Sequence, residues 1–272
     1  MPARVRDFFL ACFSQHFFPA VDEVTKTSLL GVRLAKVSIA EAVASARNGG
    51  LVLAPSGPGL CDLETDRHYR DALLAADLNL PDSGLAILLM RLLGLGRLPR
   101  TSGLGFLEAV LELPELKKNH ASFWVMPSQS ALRHNLQWLA NRGVGISEED
   151  CFIAPIYPKT GSVSDDRLLE TLQARKPRFL FICTGSGTQE KLGHWLKGNL
   201  SYRPAICCIG AAIGFLSGEQ VGIPMWADRI CIGWLLRCLS DPRRFVPRYL
   251  RATRLAWLIF RHGKNAPPMR GR

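Results

Sequence analysis

Two polar clusters in this chain have the residue types and spacing for chemistry. The first is Asp82, in Pro81-Asp82-Ser83-Gly84, which lies between a short apolar run at 78–80 and a longer one at 84–95. A carboxylate between a strand and a helix has two common uses. It can act as a general base, taking a proton from a hydroxyl within hydrogen-bonding reach, or it can cap the helix that follows. The second cluster is Gln189-Glu190, which follows the loop Thr184-Gly185-Ser186-Gly187-Thr188. Loop glycines let backbone N–H groups approach an anion, and the following helix start adds a favourable dipole. The same pair also fits ordinary helix-start polarity, since Glu is favourable in any first turn. His194, four residues after Glu190, fits a partly buried or surface histidine.

The segments that must hold these residues alternate between strand-like and helix-like. Residues 28–34 are expected to be extended and 39–47 helical. Residues 51–53 form a short strand ended by the Pro-Ser-Gly-Pro-Gly loop at 55–59. Helices are expected over 66–76, 84–95, 104–113, 131–141, 168–175 and 189–197, and strands over 78–80, 123–126, 151–154, 178–183 and 205–209. Continuous apolar strands between helices give an α/β fold with a mostly parallel sheet covered on both faces. Ligands of such sheets bind beyond the carboxyl ends of the strands. That rule selects the loops at 55–59, 81–83, 184–188 and 210–214. None of them is a phosphate-binding P-loop, and no G-x-G-x-x-G opens a helix after a first strand. The missing fingerprint counts against a Rossmann-type oxidoreductase.

The chain has 272 residues, 47% of them hydrophobic and 21% charged, as expected for a folded core. Its net charge is +11, of which residues 237–272 carry +9, with ten Lys/Arg against the single acid Asp241. A basic tail of this kind meets phosphates, in nucleotides, nucleic acid or an anionic membrane. Between 247 and 262, Arg248, Arg251, Arg254 and Arg261 alternate with Tyr249, Leu250, Leu255, Trp257, Leu258 and Phe260. That mixture suits an anionic membrane surface, and no nucleic-acid-binding motif accompanies it. The eight cysteines form no C-x-x-C pair and lack zinc-ligand spacing, so they are expected to be buried hydrophobes in a reducing compartment. The longest apolar stretch, 85–95, is about half of the ~20 residues a membrane span needs. Residues 8–18 are apolar but interrupted by Ser14, Gln15 and His16, which suits a short interfacial helix better than a signal peptide.

From Ser28 onward the order of motifs resembles the WecG/TagA/CpsF glycosyltransferases, glycosyltransferase family 26. Leu30-Gly31-Val32 resembles the family's opening. Ala54-Pro55-Ser56 stands where the family commonly has Thr-x-Asn. Pro81-Asp82-Ser83-Gly84 is similar to its Ala-Asp-Gly segment, and Arg100-Thr101-Ser102-Gly103 to its Arg-x-x-Gly. Thr188-Gln189-Glu190 matches the end of its Pro-Lys-Gln-Glu, and Gly210-Ala211-Ala212 its Gly-rich segment. The sharpest match is Pro224-x-Trp226, Gly233-Trp234-Leu235, Arg237, Asp241-Pro242-x-Arg244 and Arg248-Tyr249. There are departures: Ala54, Gly105 and Gly214 stand where the family pattern has polar residues.

The resemblance implies a Rossmann-like glycosyltransferase domain over 28–236, after an N-terminal extension at 1–27. A helical, basic C-terminal appendage over 237–272 would close over the active site. It implies inverting transfer of a sugar such as N-acetylmannosamine from a UDP donor to a polyprenyl-diphosphate-linked acceptor, in cell-surface polysaccharide biosynthesis. Asp82 matches the catalytic base. Ser56, Arg100, Gln189, Glu190, Gly210, Arg237, Arg244 and Arg248 match substrate-binding positions, the last three near the diphosphate. No Asp-x-Asp motif is present to hold magnesium, so neither a metal nor any other cofactor is expected. The expected partners are the UDP-sugar, the lipid-linked acceptor and the inner face of the cell membrane, where the protein would bind peripherally from the cytoplasm. A homo-oligomer is compatible with all of this. The lost polar residues keep a second reading open, a non-catalytic relative that binds nucleotide sugar.

Overall fold

The structure, a computed structural model, describes residues 26–210, 212–218, 239 and 242–270, with only the backbone of 244–249, 251 and 252. The expected interfacial helix within 8–18, the motifs from Pro224 to Leu235, and Arg237 lie outside the described residues. So do the side chains of Arg244 and Arg248.

Among the described residues, six strands form a parallel sheet: β3 (Gly50–Leu53), β4 (Leu78–Asn79), β5 (Ser122–Met126), β6 (Cys151–Ile153), β7 (Phe179–Ile182) and β8 (Ala205–Cys208). Their spatial order is β4-β3-β8-β7-β5-β6. Alternation along each strand splits the side chains between two cores, as a period of two requires. Leu51, Leu53, Leu180, Ile182, Ile206 and Cys208 face one core, which includes Leu192 and Leu196 of helix α8 (Thr188–Asn199). Val52, Phe179, Phe181, Ala205 and Cys207 face the other, with Phe106 and Val110 of helix α5 (Gly103–Leu111). There Trp124 stacks on Phe181 with ring centroids 4.1 Å apart. The expected α/β fold with helices on both faces is therefore present. Cys183, Cys207 and Cys208 are buried among these apolar side chains.

The remaining helices are α1 (Ile39–Arg47), α2 (Gly57–Leu60), α3 (Arg67–Ala75), α4 (Gly84–Leu92), α6 (Gln129–Asn141), α7 (Asp166–Arg175), α9 (Ala212–Leu216) and α10 (Pro242–His262). Side chains of Ser38, Asp66, Ser83, Ser102, Ser128 and Asp165 each accept a hydrogen bond from a first-turn amide. These are the residue types a helix start favours.

Two sequence expectations change. Residues 28–34 are not one extended segment but a hairpin of β1 (Lys26–Leu29) and β2 (Val32–Ala35). Leu30 and Gly31 turn it, with φ of 51° and 80°. The loop at 55–59 is partly helical, because α2 starts at Gly57 under the Ser56 cap.

Helix α10 is built into the body of the protein. Leu255, Leu258 and Ile259 are fully buried in the first core. Arg254 Nη2 lies 2.5 Å from Glu64, a carboxylate only 2% exposed, and Arg270 Nε lies 3.5 Å from it. After the helix, the carbonyls of Gly263 and Lys264 accept hydrogen bonds from the N–H groups of Leu30 and Gly31, both at 2.9 Å. No helix among the described residues is long and apolar enough to cross a membrane.

Candidate active site

The carboxyl ends of β3, β4, β7 and β8 carry the loops that the sequence selects, and the structure brings these loops together. Ser56 caps α2 by accepting from Gly59 N at 3.2 Å, and its Oγ lies 3.4 Å from Ser186 Oγ in the loop after β7. A Cβ at Gly57 would come within 2.9 Å of Ser83 Oγ in the loop after β4, and one at Gly59 within 2.7 Å of Tyr69 Oη and 3.0 Å of Ser186 Oγ. The hydroxyls of Ser83, Tyr69 and Ser186 thus crowd the space that a side chain at either glycine would take. Leu34, Pro55, Leu60, Asp82, Ser83 and Ile87 are among the residues lining a small depression at this edge.

Asp82 belongs to the wall of that depression. Its Oδ1 accepts a hydrogen bond from Gly103 N, the first residue of α5, at 3.0 Å. The cap of α4 is Ser83 instead, whose Oγ accepts from Ala86 N at 3.3 Å. Ser83, not Asp82, therefore caps α4, and the Asp82 carboxylate bonds the first amide of a different helix. Arg100 Nε donates to the Asp82 carbonyl at 2.9 Å, and Thr101 N to the Pro81 carbonyl at 3.2 Å. The Arg100-Thr101-Ser102-Gly103 segment therefore holds the Asp82 loop from both its backbone and its side chain.

Gln189 and Glu190 turn inward, at 1% and 0% exposure. Gln189 Oε1 accepts from Gly210 N at 3.0 Å, which ties the loop after β8 to the start of α8. Glu190 Oε2 accepts from Gly187 N at 2.6 Å, and its Oε1 accepts from Gln189 Nε2 at 3.2 Å. Burial pushes the Glu190 carboxyl up from 4.5 to about 7, against the opposing pull of these hydrogen bonds and of Lys191. Lys191 is buried too, its Nζ 2.9 Å from Asp66 and 3.0 Å from the Lys159 carbonyl. The pair therefore fixes the shape of the loop from within. The surface of that loop is Ser186, together with Gly185 and Gly187 at positive φ. Thr184 Oγ1, at the end of β7, is buried and makes no hydrogen bond.

Sequence reasoning missed the partners more than the positions. Gly103 N as the donor to Asp82, and Glu64 as the anchor of α10, are pairings across the fold with no local signal. Two of the family departures sit in close contacts with apolar side chains. Ala54 is buried against Gly103, where a Cβ would lie 3.2 Å from its own, and a Cβ at Gly105 would meet Ile39 Cδ1 at 3.0 Å. His194 is half-buried on α8, where burial pushes its pKa down and Asp71, Lys197 and His68 are near enough to act on it.

A parallel α/β sheet with an acid and glycine-rich loops gathered at its carboxyl edge is an architecture that many nucleotide-dependent enzymes use. The chain matches the glycosyl transferase WecG/TagA/CpsF family over residues 27–267, and it belongs to that family. A relative from Bacillus spizizenii, N-acetylglucosaminyldiphosphoundecaprenol N-acetyl-beta-D-mannosaminyltransferase, is 23% identical over 213 residues, spanning 76% of this chain and 79% of that protein. The chain is accordingly a glycosyltransferase.

Proposed function

We propose that this glycosyltransferase moves N-acetylmannosamine, or a sugar like it, from a UDP donor to N-acetylglucosamine on a polyprenyl diphosphate, with inversion, in cell-surface polysaccharide synthesis. The transferred sugar and the acceptor class follow the relative's name, and the UDP donor is what the family resemblance implies. The observation that carries the reading is Asp82, set in the wall of the carboxyl-edge depression and held by Gly103 N. In this reading Asp82 takes the proton from the acceptor hydroxyl as the oxygen attacks the anomeric carbon. The bond from that carbon to the UDP oxygen breaks on the opposite side. Arg237, Arg244 and Arg248 offset the charge of the departing diphosphate, since their planar forks pair two oxygens at once. Ser56, Ser186 and the Gly185–Gly187 backbone meet the nucleotide, on a loop that Gln189 and Glu190 shape from behind. Gly210 is held to the same assembly by Gln189. The protein works peripherally at the inner face of the cell membrane, where α10 presents its basic and aromatic side.

The test is transfer from UDP-N-acetylmannosamine to a short-chain, soluble analogue of the lipid-diphosphate acceptor. A disaccharide product is expected. If UDP binds and no sugar moves to any acceptor sugar, the apolar corner at Ala54 and Gly103 favours the second reading, a relative that binds nucleotide sugar without turnover.

A further inference from the structure

Helix α4 is apolar on nearly all sides, yet one side is in water. Ala86 and Met90 are buried in the first core. Leu85, Leu88 and Leu92, spaced as one helical face, are 36%, 49% and 71% exposed. A helix that is hydrophobic all round is normally buried, and adjacent exposed leucines mark an interaction surface. Between Asp82 and Glu108 the charge along the chain has one sign. Residues 83–107 include Arg91, Arg97 and Arg100 and contain no Asp or Glu. Helix α10 packs beside α4, and Gly263 at its end lies against Leu95 just beyond α4. One turn earlier, Phe260 is 75% exposed, with Arg261 and Lys264 exposed close by.

We infer that the outer face of α4 is a bilayer-docking surface, inserted among the lipids of an anionic membrane beside α10. This deepens the membrane reading proposed above and rests on it. At 9 residues α4 is about 13 Å long, far too short to span a bilayer, so it lies in the interface. The leucines enter the boundary between headgroups and acyl chains, while Arg91, Arg97 and Lys264 meet the headgroup phosphates. The consequence for catalysis is geometric. Asp82 stands immediately before Ser83, the cap of α4, so the depth of α4 sets the height of Asp82 above the lipid surface. A sugar on a lipid diphosphate projects from that same surface. The basic tail alone would hold the protein near the membrane without fixing this height.

The test is co-sedimentation of the full chain with vesicles of phosphatidylglycerol and phosphatidylcholine, at about 0.1 M and about 0.5 M salt, the higher screening surface charge. Leu88→Ser with Leu92→Ser should weaken binding at least about tenfold and abolish what remains at high salt. Leu88→Trp should tighten binding, because Trp favours the interface; a misfolded variant would not do so. Transfer to the soluble acceptor analogue should be unchanged in all three proteins. Unchanged vesicle affinity in the double Ser variant overturns the inference. So does a shift from dimer to monomer in that variant with vesicle binding intact, which would make the face a contact between copies. Because binding is read without turnover, a wild type that binds vesicles but transfers no sugar counts against the proposed function alone.

Discussion

Two buried or half-buried carboxylates at one edge of the sheet behave differently because their surroundings differ. Asp82 lines a small depression and accepts an N–H bond from the start of α5. Asn in its place keeps an oxygen for that bond but cannot accept a proton. Asp82→Asn should therefore leave UDP binding and stability near wild type while lowering transfer by about 100-fold or more; single-turnover kinetics on the soluble acceptor would show it, and unchanged turnover would remove Asp82 from the mechanism. Glu190 is sealed inside, and burial raises its carboxyl from 4.5 to about 7. The folded state then holds a proton that the unfolded chain releases. The resulting stability, on the order of 3 kcal/mol, is fully present below pH 4.5 and is lost as pH rises through about 7. Denaturant titrations between pH 5 and about 8 should show this decline in the wild type, and Glu190→Gln should flatten it. An equal slope in both proteins would assign the titration to another group. The place of Asp82 at the carboxyl edge of the sheet was legible from the chain, because a lone acid between two apolar runs is a local signal, while its role as a base is what the family resemblance implies. The inward turn of Gln189, Glu190 and Lys191 was not. Three consecutive polar residues suggest a solvated helix start, and only distant partners, Gly210 and Asp66, explain their burial.

Seven of the helices were legible to within about three residues at either end, since Ser and Asp caps followed by apolar periodicity mark most of their starts, whereas the short helices at Gly57–Leu60 and Ala212–Leu216 were read as loops. Ser38 and Glu41 even form the reciprocal pair, with Glu41 N donating to Ser38 Oγ at 3.2 Å and Ser38 N to Glu41 Oε2 at 2.7 Å. The β1–β2 hairpin escaped for an equally local reason. Two-residue turns with both φ values positive are usually marked by Asn-Gly or Asp-Gly, and here a leucine occupies the first position. Its burial, at 1% exposure, and its bond to Gly263 offset the cost of that conformation. Helix α4 offers a decisive separation of roles at this scale. Ser83→Ala removes its cap and should cost about 1 kcal/mol of unfolding free energy, with little change in turnover on a soluble acceptor. A loss of turnover as large as that of Asp82→Asn would mean that the cap, not the acid, positions the chemistry.

At the scale of the molecule, α10 serves two masters. Its inner side belongs to the core through Leu255, Leu258 and Ile259, while Trp257 and Phe260 stand 49% and 75% exposed on the outer side. Removing the helix would unpair Glu64 and open the core, so truncation tests folding rather than membrane contact. Trp257→Ser with Phe260→Ser is the cleaner change. On the membrane reading vesicle binding should fall several-fold, because the two rings are large exposed apolar groups beside basic residues, while soluble-acceptor turnover and thermal midpoint hold. A lowered midpoint would show that these rings support the fold. The basic, aromatic character of this segment was legible; its union with the core was not, because the Glu64 pairing and the contact between Gly31 and Ala266 join opposite ends of the described chain. That union has a consequence in time. During synthesis the hairpin at 26–35 emerges long before residues 263 and 264, and until they appear its turn amides have only water to pair with. The wall behind the depression, Leu34 and Leu60, likewise waits for Leu255 to cover its neighbours. A nascent chain that stops short of α10 therefore lacks Leu255, Leu258 and Ile259 and leaves the first core unfinished and its apolar side chains exposed.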